Sequence, residues 1–228
     1  MRFPPLPPVV KNLLIINVLL CLVMMFSTQI DEVFTRVLGL HYVTNPHFNP
    51  AQFFTYMFLH ANFAHLFFNM FALAMFGGVI EKAMGSKRFL IYYVACGLVA
   101  ALVQQGVYAL FINHYESLAE MGTLTLDDIR NCWFMLNAPM VGASGAIFGI
   151  LLAFGMLYPN APIYIFFVPY PVKAKWVVIG YGALELLQGL GGVADNVAHF
   201  AHLGGMIAGI ILIIWWKRKG VFRNGWFF

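Results

Sequence analysis

The chain has 228 residues, 61% of them hydrophobic and only 10% charged, with 23 Phe, 12 Met and a mean hydropathy of +0.80. Soluble domains are far less apolar and carry more charge, so this composition excludes an ordinary water-soluble domain, a disordered chain, and collagen-like or coiled-coil readings. The net charge of +4 comes from 13 Lys and Arg scattered in ones to threes, never the long basic stripe of a nucleic-acid partner, and none is expected.

At about 20 residues per crossing, the length allows about six spans and no separate soluble domain. The apolar runs place them at about 11–30, 63–80, 89–112, 144–158, 173–190 and 197–216. Residues 1–228 thus read as a single membrane-embedded domain, an all-α polytopic bundle. The first run has no small-residue cleavage site and reads as a retained anchor helix. Cys21, Cys96 and Cys132 are far apart with no CxxC pair, which argues for packing residues over disulfides or structural zinc.

Lys and Arg are retained on the cytoplasmic side of membrane proteins. Arg2, Lys11, Lys82, Lys87, Arg88, Lys173, Lys175, Lys217, Arg218, Lys219 and Arg223 fall at one set of span ends, and only Arg36 and Arg130 at the other. Both termini are therefore expected in the cytoplasm. Outer residues 31–62 read as an interfacial loop, outer residues 113–143 as a solvated acidic segment, and the proline-rich turn before 173 as a connection dipping into the membrane. Trp215, Trp216 and Trp226 read as interfacial anchors.

Polar groups inside spans are costly and point to function. The second span opens with His65 and, one turn deeper on the same face, Asn69; His60 lies just before it. The fourth opens with Ser144 between Gly142 and Gly145, and the sixth with His199 and His202, followed by Gly205 and Gly209. These three spans run in one direction, so His65, Asn69, Ser144 and His202 share one depth. Gly145-xxx-Gly149 and Gly205-xxx-Gly209 are small-residue faces that let two backbones approach closely.

That set contains the parts of an acyl-transfer site. Ser144 is the nucleophile, His202 the base, and the Ser144 amide, Asn69 and His65 are the donors for a developing oxyanion. Phe148, one turn below Ser144, is placed to pack on the His202 ring. No acid is expected beside the base, so the set reads as a dyad. Glu185, the one acid well inside a span, reads as a satisfied interhelical hydrogen bond, His199 as a packing and hydrogen-bonding residue, and His60 as steadying the loop.

At these residues the sequence resembles the rhomboid family of intramembrane serine proteases. The carriers are Gly142-Ala143-Ser144-Gly145, the His65-to-Asn69 element, and Ala201-His202-Leu203-Gly204-Gly205. The resemblance implies a six-helix rhomboid bundle and an acyl-enzyme mechanism with Ser144 as nucleophile and His202 as base, cleaving membrane-anchored proteins in or beside a transmembrane helix. It also implies that His65 and Asn69 bind the oxyanion and that Gly142 shapes the turn behind the serine. The sequence departs from the family pattern twice: Ala51-Gln52 stands where many members carry Trp-Arg, leaving the anchor of the outer loop open, and Phe148 replaces a frequent Tyr.

The expected partners are a transmembrane protein substrate and the lipid bilayer, with no cofactor or metal and with the oligomeric state open. The expected location is a multi-pass cell membrane, bacterial inner in type, with the site opening away from the cytoplasm. The rival function is an idle protein of the same fold that binds transmembrane clients without cutting them; a metal or haem site built from His60, His65, His199 and His202 is a second. The fifth span and the glycines Gly189, Gly191 and Gly192 are candidates for a lateral gate.

Overall fold

A computed structural model describes residues 5–165, 168–190 and 198–222. Helix α1, Pro8–Met25, starts on a proline, whose missing N–H costs no intrahelical bond at that position. The next two amides, Val9 and Val10, donate to Glu81 Oε1 and Oε2 at 3.0 and 2.8 Å, and Ser86 Oγ donates to Oε1 at 2.7 Å. A buried carboxylate thus meets the positive end of the helix.

The first span ends earlier than expected, because the chain becomes extended at Ser27 and re-enters a helix as α2, Thr28–Leu38. The outer connection is folded rather than loose. It continues through α3, Gln52–Thr55, and a 3-10 turn, Tyr56–Phe58. Gln52 supplies its anchor: the buried side chain donates from Nε2 to Val37 O at 3.1 Å and His47 O at 2.8 Å, while Oε1 accepts from His41 N at 3.2 Å. Gln105 of the third span ties the same loop down, donating to His41 O at 3.0 Å and accepting from Val43 N at 3.1 Å.

Asn62 caps the second span, accepting from His65 N at 2.8 Å. Helix α4, Phe63–Ala72, passes through a π-helical turn at Leu73–Gly77 into α5, Gly78–Met84. After Gly85, at φ +81°, comes α6, Ser86–Glu120. Its 35 residues span about 52 Å, well beyond the roughly 30 Å of a hydrocarbon core. The expected end at 112 is therefore too early, and α7, Leu126–Asn137, follows behind a Thr125–Asp128 capping box. The acidic outer segment is largely helical.

Helix α8, Ser144–Leu157, leads to a short antiparallel pair, β1 Pro162–Ile163 and β2 Val172–Lys173, with Pro162 opposite Lys173. Helix α9, Ala174–Leu190, and α10, His199–Arg218, complete the described chain. Among the described residues four helical stretches are long and apolar enough to cross a membrane: Pro8–Met25, Phe63–Met84, Ser86–Glu120 and His199–Arg218. Helix α8, with 14 residues, is shorter than a full crossing, and α9 is described over 17 residues.

Helix α10 packs against α6 and α8. A Cβ on Gly205 would overlap the Gly145 carbonyl, and one on Gly149 would lie 3.1 Å from Gly205 O and 2.5 Å from Cys96 Sγ. The α8 and α10 backbones touch because both lack side chains there. Tyr92 locks the seam, its hydroxyl donating to Gly149 O at 2.7 Å. Trp216 is buried against Tyr92, ring centroids 6.1 Å apart, so it is a core residue and not the expected interfacial anchor. Trp215 is half exposed beneath Lys219 Nζ at 4.4 Å, and Trp226 lies outside the described residues.

Candidate active site

Leu40 and Met140 exchange backbone hydrogen bonds of 2.9 and 2.8 Å, which brings the outer loop against the chain entering α8. Gly142 N then donates to Tyr56 O at 3.0 Å. Gly142 has φ +129°, and a Cβ there would lie 2.7 Å from His65 Cε1 and 3.7 Å from Ser144 Oγ. Two independent constraints, backbone conformation and the adjacent imidazole, require glycine. They also put the His65 ring beside the serine.

Ser144 is the first residue of α8, where amide N–H groups lack intrahelical partners. Its Oγ lies 2.8 Å from His202 Nε2. The imidazole of His202, from the first turn of α10, is stacked on Phe148 with centroids 4.3 Å apart and planes 4° from parallel. Phe148 is in turn met edge-on by Tyr181 of α9 at 6.3 Å. Asn69 is buried in the second span, and its Nδ2 has no hydrogen-bond partner among the described residues, an open donor. The His60 ring meets His65 edge-on at 5.1 Å.

The expectation that no acid stands near the base is corrected. Glu185 Oε2 lies 2.9 Å from His202 Nδ1 and 2.7 Å from His199 Nδ1. The His199 contact is a well-formed hydrogen bond; the His202 contact has ion-pair distance without hydrogen-bond alignment. The cause is helix rotation: α9 turns Glu185 toward α10 while Leu184, Leu186 and Leu187 stay exposed. The interhelical hydrogen bond expected for Glu185 is present, on His199.

The four histidines of the metal reading separate into two edge-on pairs, His60–His65 and His199–His202. Among the described residues the group able to hold a cation is instead Glu185, His199 and His202, whose donor atoms lie within 4.8 Å of one another. Gly191 and Gly192 of the candidate gate lie outside the described residues, while a Cβ added to Gly189 would lie 3.0 Å from the Phe200 ring.

Residues 47–219 match the Rhomboid domain model. The chain is 30% identical over 164 residues to the mitochondrial Rhomboid protein 1 of Saccharomyces cerevisiae, covering 72% of this chain and 41% of that protein. It is 30% identical over 161 residues to the rhomboid protease AarA of Providencia stuartii, covering 69% and 53%, and 28% identical to the putative rhomboid protease YdcA of Bacillus subtilis, covering 69% and 63%. The chain spans 41 to 63% of the length of these relatives. A helical membrane fold with these matches defines a multi-pass membrane protein. The chain belongs to the rhomboid family.

Proposed function

We propose that this protein is an intramembrane serine endopeptidase that cuts membrane-anchored proteins in or next to a transmembrane helix. The observation that carries the reading is the 2.8 Å approach of Ser144 Oγ to His202 Nε2 inside a glycine-framed helix contact. A serine hydroxyl needs a base to become a nucleophile, and a neutral imidazole is that base near neutral pH. His202 Nε2 takes the Oγ proton as Ser144 attacks the scissile carbonyl, then returns it to the leaving amine. Water deprotonated by the same nitrogen hydrolyses the acyl-enzyme.

The oxyanion of each tetrahedral intermediate calls for fixed donors. The Ser144 amide, the unpartnered Asn69 Nδ2 and the His65 ring beside Gly142 supply them. The second, fourth and sixth spans run in one direction, and the basic residues favour an inner side for both termini, so the site opens away from the cytoplasm.

Purified protein in detergent with a single-span model substrate tests this. Wild type is expected to cut and to be labelled by a fluorophosphonate, and Ser144→Ala and His202→Ala to do neither. Folded wild type that binds several substrates without cutting any supports the idle client-binding reading instead. Cleavage surviving in both variants removes the site assignment.

A further inference from the structure

We propose that Glu185 is a positioning residue for the His202 base, held in place by His199 and fixing the ring flip and tautomer that leave an unprotonated Nε2 facing Ser144. This deepens the serine–imidazole reading above and rests on it. Glu185 is 8% exposed on a helix whose neighbouring side chains are apolar, and a carboxylate in such a place is costly unless donors satisfy it. Two imidazole nitrogens converge on its Oε2, His199 Nδ1 at 2.7 Å and His202 Nδ1 at 2.9 Å, from rings standing at 90° to each other. The second nitrogen of the same His202 ring is the one 2.8 Å from Ser144. The base therefore stands between a carboxylate and a hydroxyl.

The arrangement resolves a question that stacking leaves open. Phe148 holds the plane of the His202 ring to within 4° but fixes neither its flip nor its tautomer, since a half-turn that puts Cε1 in the place of Nε2 keeps the stack. A carboxylate decides both, because it only accepts: Nδ1 must carry the hydrogen, and Nε2 keeps the lone pair that receives the Ser144 proton. When that proton moves from Oγ to Nε2, the Nδ1–H bond stays intact and the imidazolium forms against the Glu185 charge, which stays ionised. The Nδ1 contact has the distance but not yet the alignment of a hydrogen bond, and catalytic contacts of this kind tighten when substrate is bound. His199, hydrogen-bonded to the same oxygen, keeps the carboxylate from swinging away with α9.

The test measures kcat, KM and the rate of fluorophosphonate labelling for the full chain in detergent, with Glu185→Gln, Glu185→Asp and Ser144→Ala beside wild type. Glu185→Gln is expected to lower kcat and labelling together by at least about tenfold, with KM within about twofold, because only the proton step is touched. Glu185→Asp, which keeps the charge, recovers part of the loss. Wild-type labelling in folded Glu185→Gln overturns the proposal while leaving the serine reading intact; cleavage by Ser144→Ala overturns the serine reading itself. A measurement on the unmutated protein stands apart from folding of the variants: nitrogen-15 shifts of labelled histidine, with His202 assigned by His202→Ala, are expected to show the Nδ1–H tautomer at neutral pH. An Nε2–H tautomer overturns the proposal. So does stoichiometric zinc in the wild type with cleavage lost on chelation, since a cation would then stand where the Nδ1 proton is required.

Discussion

The seam between α8 and α10 and the elements around it are held by opposite means. At the seam, side chains are missing: Gly145, Gly149 and Gly205 bring two backbones into contact, and Ser144 and His202 meet as a result. At the periphery, single carboxylates do the holding. Glu81 receives the start of α1, Glu185 receives two imidazoles of α10 from α9, and Asp128 caps α7. Helix α9 shows the contrast within one element: Val178 packs near Gly155, Glu185 reaches α10, and Trp176, Ile179, Leu184, Leu187 and Leu190 are left to lipid. Ser144 and His202 thus sit on the part with least freedom, and a helix that touches its neighbours sparsely is tied to His202 by one polar group.

If the seam is as intolerant as that contrast requires, substitution there has the largest effect in the molecule. Gly205→Val places its branched side chain in the Gly145 carbonyl, where neither backbone can retreat. The expected loss is about 3 kcal/mol or more of stability, with no cleavage. Denaturation in mild detergent and the substrate assay both read it, and a folded, active Gly205→Val would show that the helices can separate without cost.

Gly142→Ala comes next and strikes activity more than folding. The substitution imposes an unfavourable positive φ, worth about 1–3 kcal/mol, and pushes a methyl against the His65 ring. Serine labelling is expected to slow by at least about tenfold, the size of effect that displacing an oxyanion donor carries, while the fold survives. An unchanged labelling rate would remove His65 from the oxyanion set.

How much of this was readable beforehand follows the same division. Ser144 and His202 were legible because depth along same-direction spans and two glycine faces are sequence properties. The acid beside the base was not, although Glu185 was visible at the right depth: α9 is apolar nearly all round, so no periodicity shows which face turns inward. Glu81 lies one residue past the expected span end, where an acid reads as solvated, and only the tertiary approach of Val9 and Val10 reveals its use. Trp216 was misplaced because a tryptophan beside a basic tail suits a membrane surface and a core equally, and Tyr92 decides between them. Ala51-Gln52 reads in the sequence only as a departure that leaves the outer-loop anchor open, because what the Gln52 amide binds depends on backbone that only the fold places.

The peripheral carboxylates that do not touch His202 give smaller and more local effects. Glu81→Gln weakens the docking of α1, since a neutral amide offers one acceptor oxygen to three donors at a buried position. A stability loss of about 2 kcal/mol is expected, with kcat of the folded fraction unchanged. A fall in kcat at full stability would mean that α1 reaches the site, and the division between seam and periphery would fail.

The smallest effect belongs to Asp128, which is partly exposed and acts on its own helix. The Thr125 hydroxyl and amide both donate to Asp128 Oδ2, at 2.6 and 2.9 Å, and hold its carboxyl below the usual 3.8. The sign follows from that depression. The folded form binds its proton more weakly than the unfolded chain, so the capping contribution is complete above the unfolded value and is lost as pH falls through the depressed folded one. Hydrogen-exchange protection of the α7 amides, taken relative to intrinsic rates, should stay level from neutral pH down to the ordinary carboxyl range and drop below it, while α8 and α10 stay protected. In Thr125→Ala the drop should shrink, since only the backbone amide still donates to Asp128, and α7 should be less protected throughout. Parallel loss of protection in α10 would mean that the outer helix is coupled to the glycine seam, which its local capping box argues against.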